Sequence, residues 1–339
     1  MSKIVRIFFN RGFLPVDKTV FKIGTSLSFD CYIQRFNGFA ILLEKGTFLD
    51  EKMFKKLTQD KLQVYIKNSV LKEFNLYKLE HDNKKSYSLE KVFLEEATQN
   101  ALKLQETLVK LDQVEEKLRA VYFVGKNLLD SWLADKTQKL PRKAIECIAE
   151  ALVDITTQTQ VSLYHFKDII EHRYSLVTHL LNVAFFASLI SSKLFLDINE
   201  KKSLILAALL HDVGKSEVDE TLIDKPEMLS QKEFEEIKSH SKFSVGIAKK
   251  GGFGSQQLLL AILEHHERLD GTGYPNKLKA AQISQFGKIL AVCDVFDALI
   301  TIKPYRGAYT TFNALILIQN EFKNKLEMKY VKLLIKLLK

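Results

Sequence analysis

Hydrophobic and polar residues alternate in short runs through the first quarter of the chain, a pattern that is typical of β-strands. The runs lie at 4–9, 20–23, 31–36, 40–43 and 62–66. Asn37-Gly38 stands between two of them as a hairpin signal, and a helix start is indicated at Asp50. Residues 1–85 are therefore predicted to form a small α+β domain, for which we expect a regulatory or partner-binding role.

From residue 86 onwards the hydrophobic positions recur every three or four residues, which indicates α-helix. Between 86 and 135 the pattern runs without Pro or Gly until Gly125 and predicts an extended helix, either a connector or the seam of a homodimer. Pro141 suits the start of a further helix, and no strand pattern follows it. The predicted organisation is a small α+β domain at 1–85, a helical connector at 86–140 and an all-α domain at 141–339.

The composition places the chain among globular proteins. Of 339 residues, 46% are hydrophobic and 27% are charged, which excludes a largely disordered chain. The net charge is +9, but the lysines are spread among acidic residues, so a solvated surface is favoured over a nucleic-acid-binding face. No apolar stretch reaches the ~18–20 residues that a membrane-spanning helix needs.

The cysteine pattern bears on the cellular compartment. Cys31, Cys147 and Cys293 are odd in number and scattered, and no Cys-x-x-Cys pair occurs. This pattern argues against a disulfide scaffold and against a cysteine-based zinc site. It is typical of a reducing compartment, so we expect a cytoplasmic protein.

Seven of the eight histidines fall between residues 165 and 266, a clustering that isolated core histidines do not explain. His211-Asp212 follows an apolar helical pattern and precedes Gly214 and Lys215. Adjacent side chains on a helix point about 100° apart, so both can reach one metal only near a helix end, which the glycine provides. A carboxylate in that position can bridge two metal ions.

Two further segments carry metal-ligand chemistry. His265-His266 are paired imidazoles that run into a glycine-rich loop at 271–275. Asp294 lies in an apolar run, where an unpaired carboxylate is costly to bury, so a cation partner is expected. Imidazoles and carboxylates without a thiolate argue against a structural zinc site.

Taken in order, these segments resemble the HD-GYP phosphodiesterase family, a branch of the HD metal-dependent phosphohydrolases. The likeness spans about residues 165–320 and includes the motifs HDxGK, HHExxDGxGYP and DxFDAL, which begin at His211, His265 and Asp294. It implies an all-helical catalytic domain that binds two or three metal ions, often iron or manganese, and hydrolyses the bacterial second messenger cyclic di-GMP. The residues around 29–33 and 40–46 are similar to a module often found ahead of such domains.

The resemblance also implies a set of metal ligands. The expected ligands are His179, His211, Asp212, His240, His265, His266 and Asp294. One metal is expected to be held by His179, His211, Asp212 and Asp294. The second is expected to be held by His240, His265 and His266, with Asp212 as the bridge between the two metals. Ser175 stands where members with a third metal carry Glu, which favours a binuclear centre of two divalent ions, iron or manganese.

The resemblance implies hydrolysis of cyclic di-GMP to pGpG, with GMP as a further product, by a water molecule activated between the two metals. Asp212 and Lys215 are the expected catalytic residues, Lys215 by neutralising charge on the phosphate. The expected substrate contacts are Arg268, Gly273, Tyr274, Pro275, Lys303 and Arg306. A GGDEF-type diguanylate cyclase and a second copy of the chain are expected partners, whereas nucleic acid is not.

Two alternative functions stay open. One is a non-catalytic sensor or interaction module that binds cyclic di-GMP, although a pure binder does not need the complete ligand set. The other is hydrolysis of a different cyclic dinucleotide or nucleotide, since the shape of the pocket decides specificity. Lys215 can also act as a helix C-terminal cap, and Arg268, Lys303 and Arg306 can equally form surface salt bridges.

Overall fold

The computed structural model describes residues 13–35, 38–59, 62–70, 73–74, 77, 89–135, 137–172, 174–223, 225, 230–302 and 307–338. The first predicted strand at 4–9, Asn37 of the hairpin signal, and the expected substrate contacts Lys303 and Arg306 lie outside these residues. Contacts within the chain divide it into two units. The first unit comprises residues 1–93 with 109–111, and the second comprises residues 94–108 with 112–339.

The first unit contains, in its described residues, an antiparallel sheet of four strands. The strands are β1 Phe13–Val16, β2 Cys31–Arg35, β3 Gly38–Leu43 and β4 Val64–Lys67, in the order β1-β4-β2-β3. Helix α1 (Glu51–Thr58) begins after Asp50, whose carboxylate accepts a hydrogen bond from the Met53 amide at 2.7 Å. The α+β prediction for this part of the chain is confirmed.

The strand predicted at 20–23 is wrong. Lys18–Val20 form a 3-10 turn instead, because the Asp17 carboxylate accepts a hydrogen bond from the Thr19 amide at 2.9 Å. Phe21 leaves this turn and is buried in the core of the unit. Alternation of apolar and polar residues therefore does not by itself distinguish a β-strand from a 3-10 turn that is capped by a carboxylate.

The remainder of the chain is helical, as predicted. Its helices are α2 Leu89–Leu102, α3 Leu104–Leu108, α4 Val114–Ala134, α5 Arg142–Gln158, α6 Leu176–Ser192, α7 Ile198–Leu210, α8 Glu220–Ile223, α9 Gln231–Lys238, α10 His240–Lys250, α11 Gln256–Glu264, α12 Gln285–Ile300, α13 Thr311–Glu321 and α14 Met328–Lys336. Among the described residues, no helix combines the length and the apolar character that crossing a membrane requires.

The extended helix predicted between 86 and 135 is wrong, because three separate helices occupy this segment. Helix α4 packs against α5 and α6 within the second unit. It buries adjacent positions such as Val121 and Tyr122, and again Leu128 and Leu129, so more than one of its faces is covered by neighbouring helices. Helix α4 is thus part of the helical core, and a homodimer through this segment stays a prediction.

Four helices of the second unit pack in a closed ring, α6 against α7, α7 against α11, α11 against α12, and α12 against α6. Every residue of α6 between Val177 and Ser191 is buried, and α12 is almost as fully enclosed. Helices that are apolar on all sides occupy the middle of a domain. Polar residues on the inner faces of this ring must therefore find partners inside the domain.

Candidate metal centre

Helix ends bring the predicted ligands to the inside of the ring. His211 and His265 directly follow the last residues of α7 and α11, His240 is the first residue of α10, and His179 lies in the first turns of α6. Asp294 projects from the middle of α12. Side chains at helix ends can converge on one point from several directions, which a continuous helix face does not allow.

Gly214 allows the turn after α7 to approach α10 closely. A Cβ atom at this position would lie 2.2 Å from the carbonyl oxygen of His240 and 2.4 Å from the amide nitrogen of Ser244. The Gly214 amide donates a hydrogen bond to the Ser244 hydroxyl at 2.8 Å. This close packing brings Asp212 next to His240.

The seven predicted ligands form two groups. One consists of Asp212, His240, His265 and His266, and the other consists of His179, His211 and Asp294; within each group the possible donor atoms lie within 4.8 Å of one another. Asp212 lies between the groups, with Oδ1 3.0 Å from His240 Nε2 and Oδ2 3.2 Å from His179 Nε2. The structure thus brings together every residue that was expected to bind metal.

Three of the imidazoles are held by backbone carbonyls through their Nδ1 atoms. The Nδ1 atom of His211 lies 2.7 Å from the carbonyl three residues before it, and the same contact is 2.6 Å long at both His240 and His265. A carbonyl oxygen only accepts hydrogen bonds, so each Nδ1 carries a proton. The Nε2 atom of each neutral ring therefore presents a lone pair to the centre.

These lone pairs face one another or face carboxylates. His179 Nε2 lies 3.2 Å from His211 Nε2, and His240 Nε2 lies 3.4 Å from His265 Nε2. Asp212 Oδ1 is buried and has no hydrogen-bond donor in the described part of the chain. The unprotonated Nε2 atoms of His240 and His265 and the unpartnered oxygen of Asp212 repel one another at such distances unless a cation lies between them, so these residues fit a divalent metal ion with nitrogen and oxygen ligands.

Burial and charge favour the metal-binding protonation states. Burial lowers the pKa of His211 to about 3, and burial together with His265 lowers the pKa of His266. For Asp212 burial acts in the opposite direction, but the positive charge of Lys215, together with its other neighbours in the centre, outweighs burial and holds the pKa well below the usual value. The neutral rings of His211 and His266 and the ionised carboxylate of Asp212 are therefore the stable forms near neutral pH.

His179 differs from the other imidazoles because carboxylates surround it. Burial lowers its pKa, but hydrogen bonds with Asp212, Asp294 and Asp297 outweigh burial and raise the pKa well above the usual value. The three carboxylates thus stabilise a positive charge at this position. Metal ligands bind in their deprotonated form, so a cation bound at Nε2 would take the place of a proton held there.

Sequence reasoning missed two residues that support His179. Asp297 is fully buried, and its Oδ2 accepts a hydrogen bond from His179 Nδ1 at 2.7 Å, while its Oδ1 accepts one from Asn182 Nδ2 at 2.7 Å. A carboxylate behind a metal-binding imidazole fixes the orientation of the ring. The spacing of Asp297, three residues after Asp294 on an apolar helix, is the signal that could have identified it.

A cleft of about 410 Å³ reaches ligands of both groups. Its walls include His179, His266 and Asp294, together with the cationic side chains of Lys215 and Arg268. Lys215 Nζ is paired with Asp212 Oδ2, and Arg268 Nη1 donates hydrogen bonds to the carbonyls of His265 and Glu267 at 3.2 and 2.9 Å. Two positive charges thus stand beside the ligands at the place where an anionic substrate could enter.

The Gly-Tyr-Pro loop packs behind the ligands and is not part of the described walls of this cleft. A Cβ atom on Gly273 would lie 2.4 Å from the Cα atom of Glu267. Tyr274 packs its ring 4.6 Å from that of His266, and its peptide bond to Pro275 is cis. Tyr274 therefore supports the ligand His266 in this structure, and the contacts of Gly273, Tyr274 and Pro275 with substrate stay predictions.

Glu267 was also missed by sequence reasoning, and it fixes this loop. Its buried carboxylate accepts hydrogen bonds from the amides of Asn276 at 2.7 Å and Leu278 at 2.9 Å. Both amides belong to the segment that follows Pro275. Ser175, the position that bears on a third metal, caps α6 instead, since its hydroxyl accepts a hydrogen bond from the Thr178 amide at 3.1 Å.

Comparison with known proteins identifies the family of this centre. Residues 165–329 match the family model of the HD domain. The chain is 34% identical over 185 residues to 3'3'-cGAMP-specific phosphodiesterase 1 of Vibrio cholerae, which covers 54% of this chain and 39% of that protein. It is 36% identical over 134 residues to the cyclic di-GMP phosphodiesterase response regulator RpfG of Xanthomonas campestris, which covers 38% of this chain and 34% of that protein.

The chain thus spans well under half the length of these curated relatives. A solved structure, that of Bd1817, a HDG"Y"P protein from Bdellovibrio bacteriovorus, has the same fold with a TM-score of 0.59 and 16% sequence identity, and the match covers 96% of this chain and 99% of that one. The HD domain match contains both groups of ligands. Residues 165–329 therefore form a domain of the HD family, and the ordered motifs from His211 to Asp297 place it in the HD-GYP branch.

Proposed function

We propose that the chain is a metal-dependent phosphodiesterase that hydrolyses a cyclic dinucleotide. The observation that carries this proposal is the two ligand groups, with Asp212 within 3.2 Å of an imidazole of each, beside a cleft lined by two cationic side chains. The names of two relatives, at 34% and 36% identity, support this class of substrate. Cyclic di-GMP, opened to pGpG and then cleaved to GMP, is the reaction that we propose first.

In this proposal, two divalent cations, iron or manganese, supply a nucleophile near neutral pH and neutralise charge on the phosphodiester. His179, His211 and Asp294 would hold one cation, His240, His265 and His266 would hold the other, and Asp212 would be the ligand common to both. Lys215 lies against Asp212 and lines the cleft, so its ammonium group can approach a phosphate oxygen and stabilise developing negative charge.

Arg268 has a positioning role in the proposed reaction. Its guanidinium group is tied to the backbone carbonyls of His265 and Glu267, which holds it at the wall of the cleft next to His266. A guanidinium group has five N–H donors in a fixed plane, so donors remain for a phosphate of the substrate. Binding of the second phosphate there would orient the first one towards the ligands.

A second candidate substrate is 3'3'-cGAMP, because the relative that matches the greater share of this chain is named for it. Cyclic di-GMP and 3'3'-cGAMP share the two phosphodiesters and the ring, and they differ in one base. The metal centre and the two cationic residues would serve both equally. Comparison of kcat/KM for the two dinucleotides on one preparation distinguishes these candidates.

The test uses the whole chain, purified without oxygen, with its metal content measured on the same sample. Asp212→Ala is expected to lower the metal content and to reduce turnover by about 1,000-fold or more, because it removes the shared ligand. Asp168→Ala, at an exposed aspartate of the same unit, is the matched control and is expected to leave both unchanged. Turnover that survives Asp212→Ala would refute the mechanism, and metal-loaded protein that binds but does not hydrolyse either dinucleotide would indicate a sensor.

A further inference from the structure

A chain of buried hydrogen bonds runs from the metal centre to helix α4. It begins at His179 Nδ1, which donates to Asp297 Oδ2 at 2.7 Å. Asn182 Nδ2 donates to Asp297 Oδ1 at 2.7 Å, and the Tyr122 hydroxyl donates to Asn182 Oδ1 at 2.9 Å. All four side chains are at least 95% buried, so solvent does not compete for these bonds.

The neighbouring donors and acceptors determine which group donates and which accepts in each of these hydrogen bonds. Asn182 Nδ2 has two protons, one for Asp297 and one for the carbonyl of Glu171 at 3.2 Å. Rotation of the amide by 180° would turn its oxygen towards a carboxylate and a carbonyl, which are both acceptors. Asn182 Oδ1 must therefore point to Tyr122, whose hydroxyl donates to it and accepts from the Glu171 amide at 3.3 Å.

We propose that Tyr122 is a positioning residue of the metal centre, which it controls by orienting His179 through Asn182 and Asp297. This inference rests on the proposed metal centre. The Tyr122 hydroxyl holds the Asn182 amide in the one orientation that donates to Asp297. The carboxylate in turn keeps the proton of His179 on Nδ1 and directs the Nε2 lone pair to the cation.

The hydroxyl group of Tyr122 can be removed without loss of packing. Its ring contacts that of Phe185 edge-on, with centroids 5.4 Å apart, and Phe185 lies on α6, three residues after Asn182. Tyr122→Phe keeps this contact and leaves Asn182 Oδ1 without its donor. A change in metal binding after this substitution therefore reports the hydrogen bond and not the core.

The experiment measures Mn²⁺ binding to metal-free protein by competition with a chelator of known affinity, which does not depend on hydrolysis. Loss of a residue behind a metal-binding histidine weakens metal binding by about 10–100-fold, and for Tyr122→Phe, two side chains further away, we expect about 3–10-fold. Tyr330→Phe is the matched control, because the Tyr330 hydroxyl is buried and has no hydrogen-bond partner among the described residues. It is expected to leave the Mn²⁺ affinity unchanged.

A double-mutant cycle with Asp297→Asn separates positioning from a general loss of stability. If Tyr122 acts through Asp297, Tyr122→Phe has little further effect on Mn²⁺ affinity once Asp297 is replaced, whereas independent effects add. If Tyr122→Phe does not fold, Asn182→Ser interrupts the same series of hydrogen bonds at another point and is expected to weaken Mn²⁺ binding in the same way. Ser188→Ala, on the same helix, is the control for this variant.

The outcomes distinguish this inference from the proposed function. Wild-type protein that binds Mn²⁺ and a folded Tyr122→Phe variant that binds it equally well would overturn the role of Tyr122 and leave the metal centre intact. Additive effects in the double-mutant cycle would overturn it too. Wild-type protein that binds no Mn²⁺ would overturn both the metal centre and the inference, while binding of Mn²⁺ without hydrolysis of a dinucleotide would overturn only the proposed reaction.

Discussion

At the scale of single residues, four of the five imidazoles of the centre are held by a hydrogen bond to Nδ1, the nitrogen that faces away from the cation site. Backbone carbonyls hold Nδ1 of His211, His240 and His265, and a carboxylate holds Nδ1 of His179. A ring held in this way has lost most of its rotational freedom before any metal binds. Preorganised ligands bind more tightly because this ordering cost is already met by the fold.

Glu267 gives a residue-scale prediction. A glutamine at this position has one acceptor oxygen and one NH₂ group, so either the Asn276 or the Leu278 amide would face a donor. We expect Glu267→Gln to lower the free energy of unfolding by about 1–3 kcal/mol, measured by urea denaturation. Glu321→Gln, at an exposed position, is the control; equal stability of the two variants would show that the carboxylate does not hold the loop.

The residues of the centre could be predicted from the sequence, but their hydrogen bonds could not. Ligand positions have a signal, because seven of the eight histidines fall between residues 165 and 266 and the motifs that contain the ligands occur in order. The carbonyls that fix the tautomers have none, since every residue carries the same backbone. The contact between Tyr122 and Asn182 spans 60 positions of the chain, and no local pattern in the sequence pairs these two residues.

At the scale of secondary-structure elements, the turn after α7 gives a prediction with a matched pair of glycines. Gly214→Ala places a Cβ atom within 2.4 Å of two backbone atoms of α10, so the turn or the helix must move. We expect the free energy of unfolding to fall by about 1–3 kcal/mol. Metal content should fall as well, because the turn carries Asp212.

Gly246, in the middle of α10, is the control for this prediction. A Cβ atom there meets no atom within 4 Å, and alanine is favoured over glycine in a helix by roughly 0.8–1.0 kcal/mol. Gly246→Ala is therefore expected to stabilise the protein slightly in the same urea titration. If Gly214→Ala were equally stable and kept its metal, the close approach of the two elements would not matter.

Element boundaries show why a periodic pattern is an incomplete guide. The pattern between 86 and 135 correctly predicts helix, but it does not reveal the breaks after Leu102 and Leu108. These breaks do not contain proline or glycine, and they depend on which faces the neighbouring helices cover. The strand pairings of the first unit are likewise set by tertiary contacts, so β1 was not apparent from its four residues.

At the scale of the whole molecule, the protonation of the centre predicts how the stability of metal-free protein depends on pH. His211 and His266 have folded-state pKa values below the usual 6.5, so below pH 6.5 the unfolded chain binds protons that the folded chain does not. Stability therefore falls as the pH falls from 6.5. Each such proton contributes up to about 1.4 kcal/mol per pH unit.

His179 acts in the opposite direction, because its pKa is raised. Its contribution is complete below pH 6.5 and is lost as the pH rises towards its folded-state pKa. We therefore expect the unfolding free energy in the presence of a chelator to be greatest near pH 6.5 and to decline on both sides. Urea titrations between pH 5 and 8 measure this curve, and His266→Asn should reduce its acidic slope; a slope unchanged by that substitution would contradict the assignment.

The burial of the ligands also bears on how quickly a metal could be exchanged. Asp212, His240 and His265 have no solvent exposure, and they belong to the ends of three different helices. The cleft reaches His266 and Asp294 but not these three ligands, so release of a cation held by them would require helix ends to separate, which is a local unfolding event. Its residence time would then follow the opening rate of the fold, and the ion retained would reflect which metal was available when the chain folded.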